Sequence, residues 1–125
     1  MNGSGVLLDS VILIDHLNGS TAATEYLREV GRAAHISAIT WAEVLTGLDG
    51  EARRSAARFL GCFRFLPIDR DVADLAATLR RLHGWKLPDA IQAAVAQHHN
   101  LRLATRNTTD FDPDRQSFVV IPYLR

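Results

Sequence analysis

Two short apolar runs, Val6-Leu7-Leu8 near the start and the FVVI of residues 118–121, lack the in–out alternation of a sheet with one wet face. A strand that is apolar on both sides needs cover on both faces, and parallel sheets obtain it from the helices of their crossover connections. The segments between such runs carry helical periodicity, which places the chain in the α/β class.

Element by element, Val6 to Leu8 forms the first strand. Ser10 is the expected cap of a short helix ending near Asn18-Gly19, and Ser20 caps another from Thr21 to about Arg32. His35-Ile36-Ser37 is the second strand, followed by helical segments over ITWAEVLTGL and from Glu51 to Cys62. RFLPI is the third strand, sent toward a sheet edge by Pro67, which has no N–H for the ladder. Asp69 caps an amphipathic helix with Val72, Leu75, Ala76, Leu79 and Leu82 at core spacing, and Gly84 closes it. Pro88 suits a helix start, the Ala-rich DAIQAAVAQHH can pack closely, and LRLAT and FVVI supply strands four and five. The expectation is one domain over residues 1–125, with a parallel sheet of about five strands between two helical layers.

Composition narrows the function classes. The formal net charge is zero, unlike the basic footprint of a constitutive nucleic-acid binder. The single cysteine, Cys62, can form no internal disulfide, and no cysteine pair suggests zinc. No apolar run reaches membrane-span length, and MNGSG lacks a signal-peptide pattern, so a cytoplasmic protein without a membrane partner is expected.

Ligand sites in open α/β sheets lie beyond the carboxyl ends of the strands. Asp9 ends strand one, Glu43 lies early in the helix after strand two, Asp89 opens the helix before strand four, and Asp110 follows strand four. Each has an ordinary alternative. Thr40 to Glu43 matches a capping box, Asp89 suits a helix N-terminus, and Asp110 suits an Asx turn. As a set they carry a cost, because two carboxylates about 5 Å apart repel by roughly 3 kcal/mol at an effective dielectric near 20. A hard divalent cation offsets that repulsion, and Mg²⁺ needs only a few carboxylates because it keeps several waters. Without metal, convergence should raise some of these pKa values, and Asp9→Asn should then stabilise the chain.

Four segments, LLDSVILID, ITWAEVLTG, LPDAIQAAVA and LATRNTTDF, occur in an order and spacing that resemble the PIN-domain ribonucleases, in particular the VapC-type toxins of bacterial toxin–antitoxin pairs. The resemblance implies an α/β/α sandwich and an acidic pocket for Mg²⁺ or Mn²⁺ that supports RNA phosphodiester hydrolysis. It matches Asp9, Glu43, Asp89 and Asp110 to the catalytic acids, with Asp9, Asp89 and Asp110 as metal ligands. Ser10, Thr40, Thr105 and Asn107 match polar residues around that pocket, and Arg106 stands where it can steer a phosphate. Val11 occupies a position that is commonly Asn in the family. The implied partners are an RNA substrate, a VapB-like antitoxin and a second copy of the chain in a homodimer.

Other polar residues read as structural. Asp15 is expected on a solvated helix face, Trp41 and Trp85 in packing, and the five histidines show no zinc-ligand spacing. Two alternatives stay open. A phosphoacceptor receiver domain has similar length and alternation, but it needs a Lys after strand five, where Ile121-Pro122 stands. A catalytically silent PIN-like RNA-binding module would keep the fold without turnover.

Overall fold

A computed structural model describes residues 5–124. Five parallel strands lie in the order β3-β2-β1-β4-β5: β1 Val6–Leu8, β2 Ala34–Ser37, β3 Arg64–Leu66, β4 Arg102–Ala104 and β5 Val119–Val120. The chain runs outward from β1 through β2 to β3, then returns to the other side of β1 with β4 and β5. Neighbouring connections therefore leave β1 and β4 in opposite directions, and a crevice opens between their carboxyl ends. A receiver domain has the order 2-1-3-4-5. This sheet does not, so the receiver alternative fails on topology.

Six helices cover the sheet: α1 Ser10–Leu17, α2 Thr21–Val30, α3 Ala38–Thr46, α4 Gly50–Leu60, α5 Arg70–His83 and α6 Leu87–His98. Two apolar cores flank it. Leu7, Leu103 and Val119 face α5 and α6, whereas Val6, Leu8, Ile36 and Ala104 face Ile12, Leu13, Val44, Leu45 and Leu60. Consecutive residues of β1 and β4 thus feed opposite cores, which is why their runs are apolar without alternation. Among the described residues no helix is long and apolar enough to cross a membrane.

Several local expectations shift. Asp9, not Ser10, is the N-cap of α1, its carboxylate accepting from the Ser10 N–H at 2.9 Å. Ser37 caps α3, so the capping box read into Thr40 and Glu43 is absent, and Glu43 lies in the second turn. Leu82 is 71% exposed, beyond the buried stripe of Val72, Ala76 and Leu79. Only Val119 and Val120 of FVVI pair in the sheet. Asp69 does cap α5, and Gly84 does close it in the left-handed conformation.

Helix α6 is the most enclosed of these helices, with Ala90, Ala93, Ala94, Val95 and Ala96 fully buried. Methyl-sized side chains let it lie close to the sheet and to α5, which fixes its N-terminus beside the end of β1. Such a contact has no room for three extra carbons. Ala94→Leu should cost about 2–3 kcal/mol in urea unfolding. A midpoint unchanged from wild type would contradict this packing.

Candidate active site

Asp9 sits at the floor of the crevice, 8% exposed. Its backbone N–H continues the β1–β4 ladder to the Ala104 carbonyl at 2.9 Å, which aims the side chain between the two strands. One carboxylate oxygen accepts from the Ser10 N–H at 2.9 Å and from the Gln92 amide at 3.3 Å. The other accepts from the Thr105 hydroxyl at 2.7 Å. A nearly buried carboxylate needs such donors, and here three of them satisfy it.

Each of those donors is itself held. Gln92, only 1% exposed, donates to the Thr40 hydroxyl at 2.6 Å and accepts from the Ser37 hydroxyl at 2.7 Å. Thr40 in turn donates to the Leu8 carbonyl at 3.3 Å, and Thr105 accepts from the Asn107 N–H at 3.0 Å. Asn107 clasps Asp110 in two directions, side-chain amide to carboxylate at 3.1 Å and Asp110 N–H to the Asn107 side-chain oxygen Oδ1 at 3.2 Å. Ser10 donates its hydroxyl to Glu43 at 2.8 Å.

A cavity of about 300 Å³ lies above this network, with Asp9, Ser10, Glu43, Asp89, Arg106 and Asn107 in its walls. Burial raises the Asp89 carboxyl to about 6, helped by the charges of Asp9 and Asp110, by a hydrogen bond with Asp110, and by Glu43. Burial also raises Glu43, opposed by the Ser10 hydrogen bond and assisted by Asp9. The four acids expected to converge therefore do feel one another. The raised values on Asp89 and Glu43 bear out the expected rise, and they make Asp89 the more direct residue to neutralise. Asn at position 9 would set an amide among three donors, so Asp89→Asn is the substitution that relieves repulsion.

Arg106 meets Asp15 in a bidentate pair at 2.6 and 3.0 Å, and the Tyr123 hydroxyl donates to the same carboxylate at 2.8 Å. Asp15 was expected on a solvated face. Its side chain is only 12% exposed, and it fixes Arg106, the one cationic side chain in the cavity wall among the described residues. Gln92 and Ser37 also escaped the sequence reading. The available signal for Gln92 was a polar residue one turn after Asp89 in an otherwise alanine-lined helix.

Among the described residues, no three acidic or histidine side chains already form a cage for an ion. Protein donors hold both oxygens of Asp9, and Ser10 holds Glu43. The donor set is nonetheless all carboxylate oxygen under mutual repulsion, the chemistry that suits a hard divalent cation retaining part of its water.

The PIN domain pattern matches residues 6–112, from β1 through the loop that carries Asp110. The chain belongs to the PIN domain family. Among PIN-domain relatives, Ribonuclease VapC10 of Mycobacterium tuberculosis is 38% identical over 114 residues, 85% of each chain. A toxin–antitoxin complex from Klebsiella pneumoniae contains a chain of the same fold at 38% identity and a TM-score of 0.88. That superposition covers 97% of this chain and 100% of the other. FitAcB from Neisseria gonorrhoeae superposes with a TM-score of 0.75 at 27% identity, covering 94% and 97%. All four segments that suggested the PIN resemblance lie within the matched span.

The raised pKa of Asp89 makes the metal-free PIN domain pH-sensitive. A carboxyl whose folded value lies above its unfolded value contributes stability below about pH 4 and loses it as pH rises through about 6. Asp89 is half-buried, so solvent screening reduces the effect to about 1 kcal/mol. In EDTA, wild type should lose that much between pH 4 and 7 relative to Asp89→Asn in urea unfolding. Parallel pH profiles for the two proteins would contradict the clustering of charge at Asp89.

Proposed function

We propose that this PIN-domain chain is a metal-dependent endoribonuclease and the toxin of a VapBC-type toxin–antitoxin pair. The observation that carries the reading is one cavity at the β1–β4 crevice walled by Asp9, Glu43 and Asp89, with Asp110 held beside it by Asn107. The likeness to a protein named as a ribonuclease, and to chains in toxin–antitoxin complexes, supports the same assignment.

Asp9, Asp89 and Asp110 would hold Mg²⁺ or Mn²⁺, with Glu43 beside them. When bound, such an ion supplies Lewis-acid polarisation of the scissile phosphate and acidifies the attacking water. The chain's own residues prepare for this. Thr105, Gln92 and the Ser10 N–H hold the Asp9 carboxylate in place. Asn107 aims Asp110, and Ser10 orients Glu43. Asp89 carries the mobile proton: burial and its acidic neighbours raise its carboxyl, and a bound cation would favour its ionised form. Arg106, immobilised by Asp15, presents its guanidinium at the wall, where it can meet a phosphate oxygen without first losing rotamer freedom.

Hydrolysis by water attack on phosphorus, with the 3′ oxygen leaving, yields a 5′-phosphate and a 3′-hydroxyl. Asp89→Asn should reduce cleavage of single-stranded RNA at least a hundredfold while the circular dichroism spectrum stays native, because charge is lost but volume is kept. Wild-type rates in that variant, or cleavage indifferent to EDTA, would remove the metal-dependent mechanism, whereas RNA binding without any cleavage by wild type would leave the catalytically silent PIN-like module.

The partners follow from the same charges. A neutral chain gathers cationic surface for RNA locally or across a homodimer. An acidic crevice also accepts a cationic side chain, and Arg bridges two carboxylates well. The VapB-like antitoxin should insert an Arg or Lys from its C-terminal segment between Asp9 and Asp110. Removing that segment should restore RNA cleavage in the mixture. Full inhibition by the truncated antitoxin would instead place the block away from the acids.

A further inference from the structure

We propose that the hollow on the far side of Asp110 is a nucleobase subsite, taking one unpaired base of the RNA next to the scissile phosphate; this rests on the ribonuclease reading. The hollow has a volume of about 520 Å³, with His83, Trp85, Thr108, Thr109, Asp110 and Arg115 among its lining residues. That volume lies within the usual range of small-ligand sites. Asp110 connects the two cavities: it is in this wall, and Asn107, in the wall of the acidic pocket, donates to its carboxylate at 3.1 Å. A strand whose phosphate crosses the acids therefore places a neighbouring base at this hollow.

The hollow contains a rigid aromatic platform. Gly84, at φ +70°, turns the chain sharply at the end of α5, so Trp85 folds back beneath His83. The two rings stack with centroids 4.1 Å apart and planes 15° from parallel. Trp85 is 5% exposed and rests on Phe111 at 5.0 Å, whereas His83 is exposed. The Trp85 indole N–H donates to the Asp110 carbonyl at 3.0 Å, and Arg80 donates to the Trp85 carbonyl at 2.8 Å. The outer face of His83 is thus presented on a fixed support, a stacking surface that needs little ordering when a base arrives.

The lining chemistry selects a base over a phosphate. Asp110 and Asp112 repel a dianion, whereas the hydroxyls of Thr108 and Thr109 can donate to and accept from the edge of a neutral base. Arg115, 83% exposed along its side chain, stands at the solvent side, where the sugar–phosphate backbone would leave. The tight link between Trp85 and Asp110 also means that an occupied platform and a well-placed Asp110 support each other.

The test uses the full chain and single-stranded RNA oligonucleotides carrying either a base or an abasic ribose at each neighbour of the cleaved bond. Removing one of these bases should lower wild-type kcat/KM on the order of tenfold, mostly through KM. His83→Ala should show the same loss with the base present and no further loss without it, and His83→Phe should retain wild-type behaviour. Fluorescence anisotropy of the same oligonucleotides on the Asp89→Asn chain should show the same pattern in Kd. A His83→Ala defect of equal size on base-containing and abasic RNA, or no defect at all, would overturn the subsite. A defect seen only in antitoxin binding would overturn it too, making the hollow a protein contact. If wild type cleaves no RNA, the nuclease reading falls by itself. Anisotropy then decides the subsite: base-dependent binding upholds it and base-indifferent binding removes it.

Discussion

The buried, charged carboxylate of Asp9 is the constraint around which the rest is arranged. Its position at the end of β1 puts it between strands that diverge in connectivity, where the sheet opens. An anion there is tolerable only with donors on several sides, and they come from three separate parts of the chain: Ser10, Thr105 and Gln92, which is itself tied to Thr40. Satisfying one charge therefore ties α1, α3, α6 and the end of β4 to a common point. The same bonds bring Glu43, Asp89 and Asp110 to the rim, because each lies within a few residues of one of those donors.

The electrostatic load is unevenly distributed. Asp9, on the floor, has its hydrogen bonds made inside the protein, whereas Asp89, half-buried on the rim, bears burial and repulsion together. Its location in the first turn of α6 gives partial relief from the helix dipole. The pocket thus combines a fixed anion with a neighbour whose protonation can change near pH 6. Such a pair can accept a cation, or a cationic side chain, with only a small proton rearrangement. The Arg106–Asp15–Tyr123 cluster bounds it with one immobile positive charge.

Much of this was legible because strand ends, caps and helix starts leave clear marks. Asp9 after an apolar run, Asp89 after Pro88, and the Thr105-Arg106-Asn107 turn after β4 all stand where parallel-sheet topology directs polar side chains. The mark at Asp9 was nonetheless misread in one respect, since Asp and Ser are equally good caps and only backbone geometry distinguishes residue 9 from residue 10. Glu43 looked like part of a capping box because Thr40 fits the pattern, but Ser37 had already capped α3. Gln92, Ser37 and Asp15 were hidden for a different reason. Their roles depend on partners 55, 83 and 91 residues away, and no local spacing encodes such contacts. The length of β5 was overestimated because apolar character reports burial, while strand pairing requires a neighbour in register.

The account stands or falls on whether the crowded carboxylates form one cation site. The most direct measurement is thermal unfolding of wild type and Asp89→Asn at pH 7.5, with EDTA and then with millimolar Mg²⁺ or Mn²⁺. A ligand that binds only the folded state raises its stability by mass action, by about 2.7 kcal/mol at a hundredfold excess over the dissociation constant. The account predicts a clear upward shift for wild type, and for Asp89→Asn a higher starting midpoint with most of that shift gone. Identical wild-type melts with and without the ions would mean that these acids serve separate local roles, and the metal-dependent nuclease assignment would fail with them.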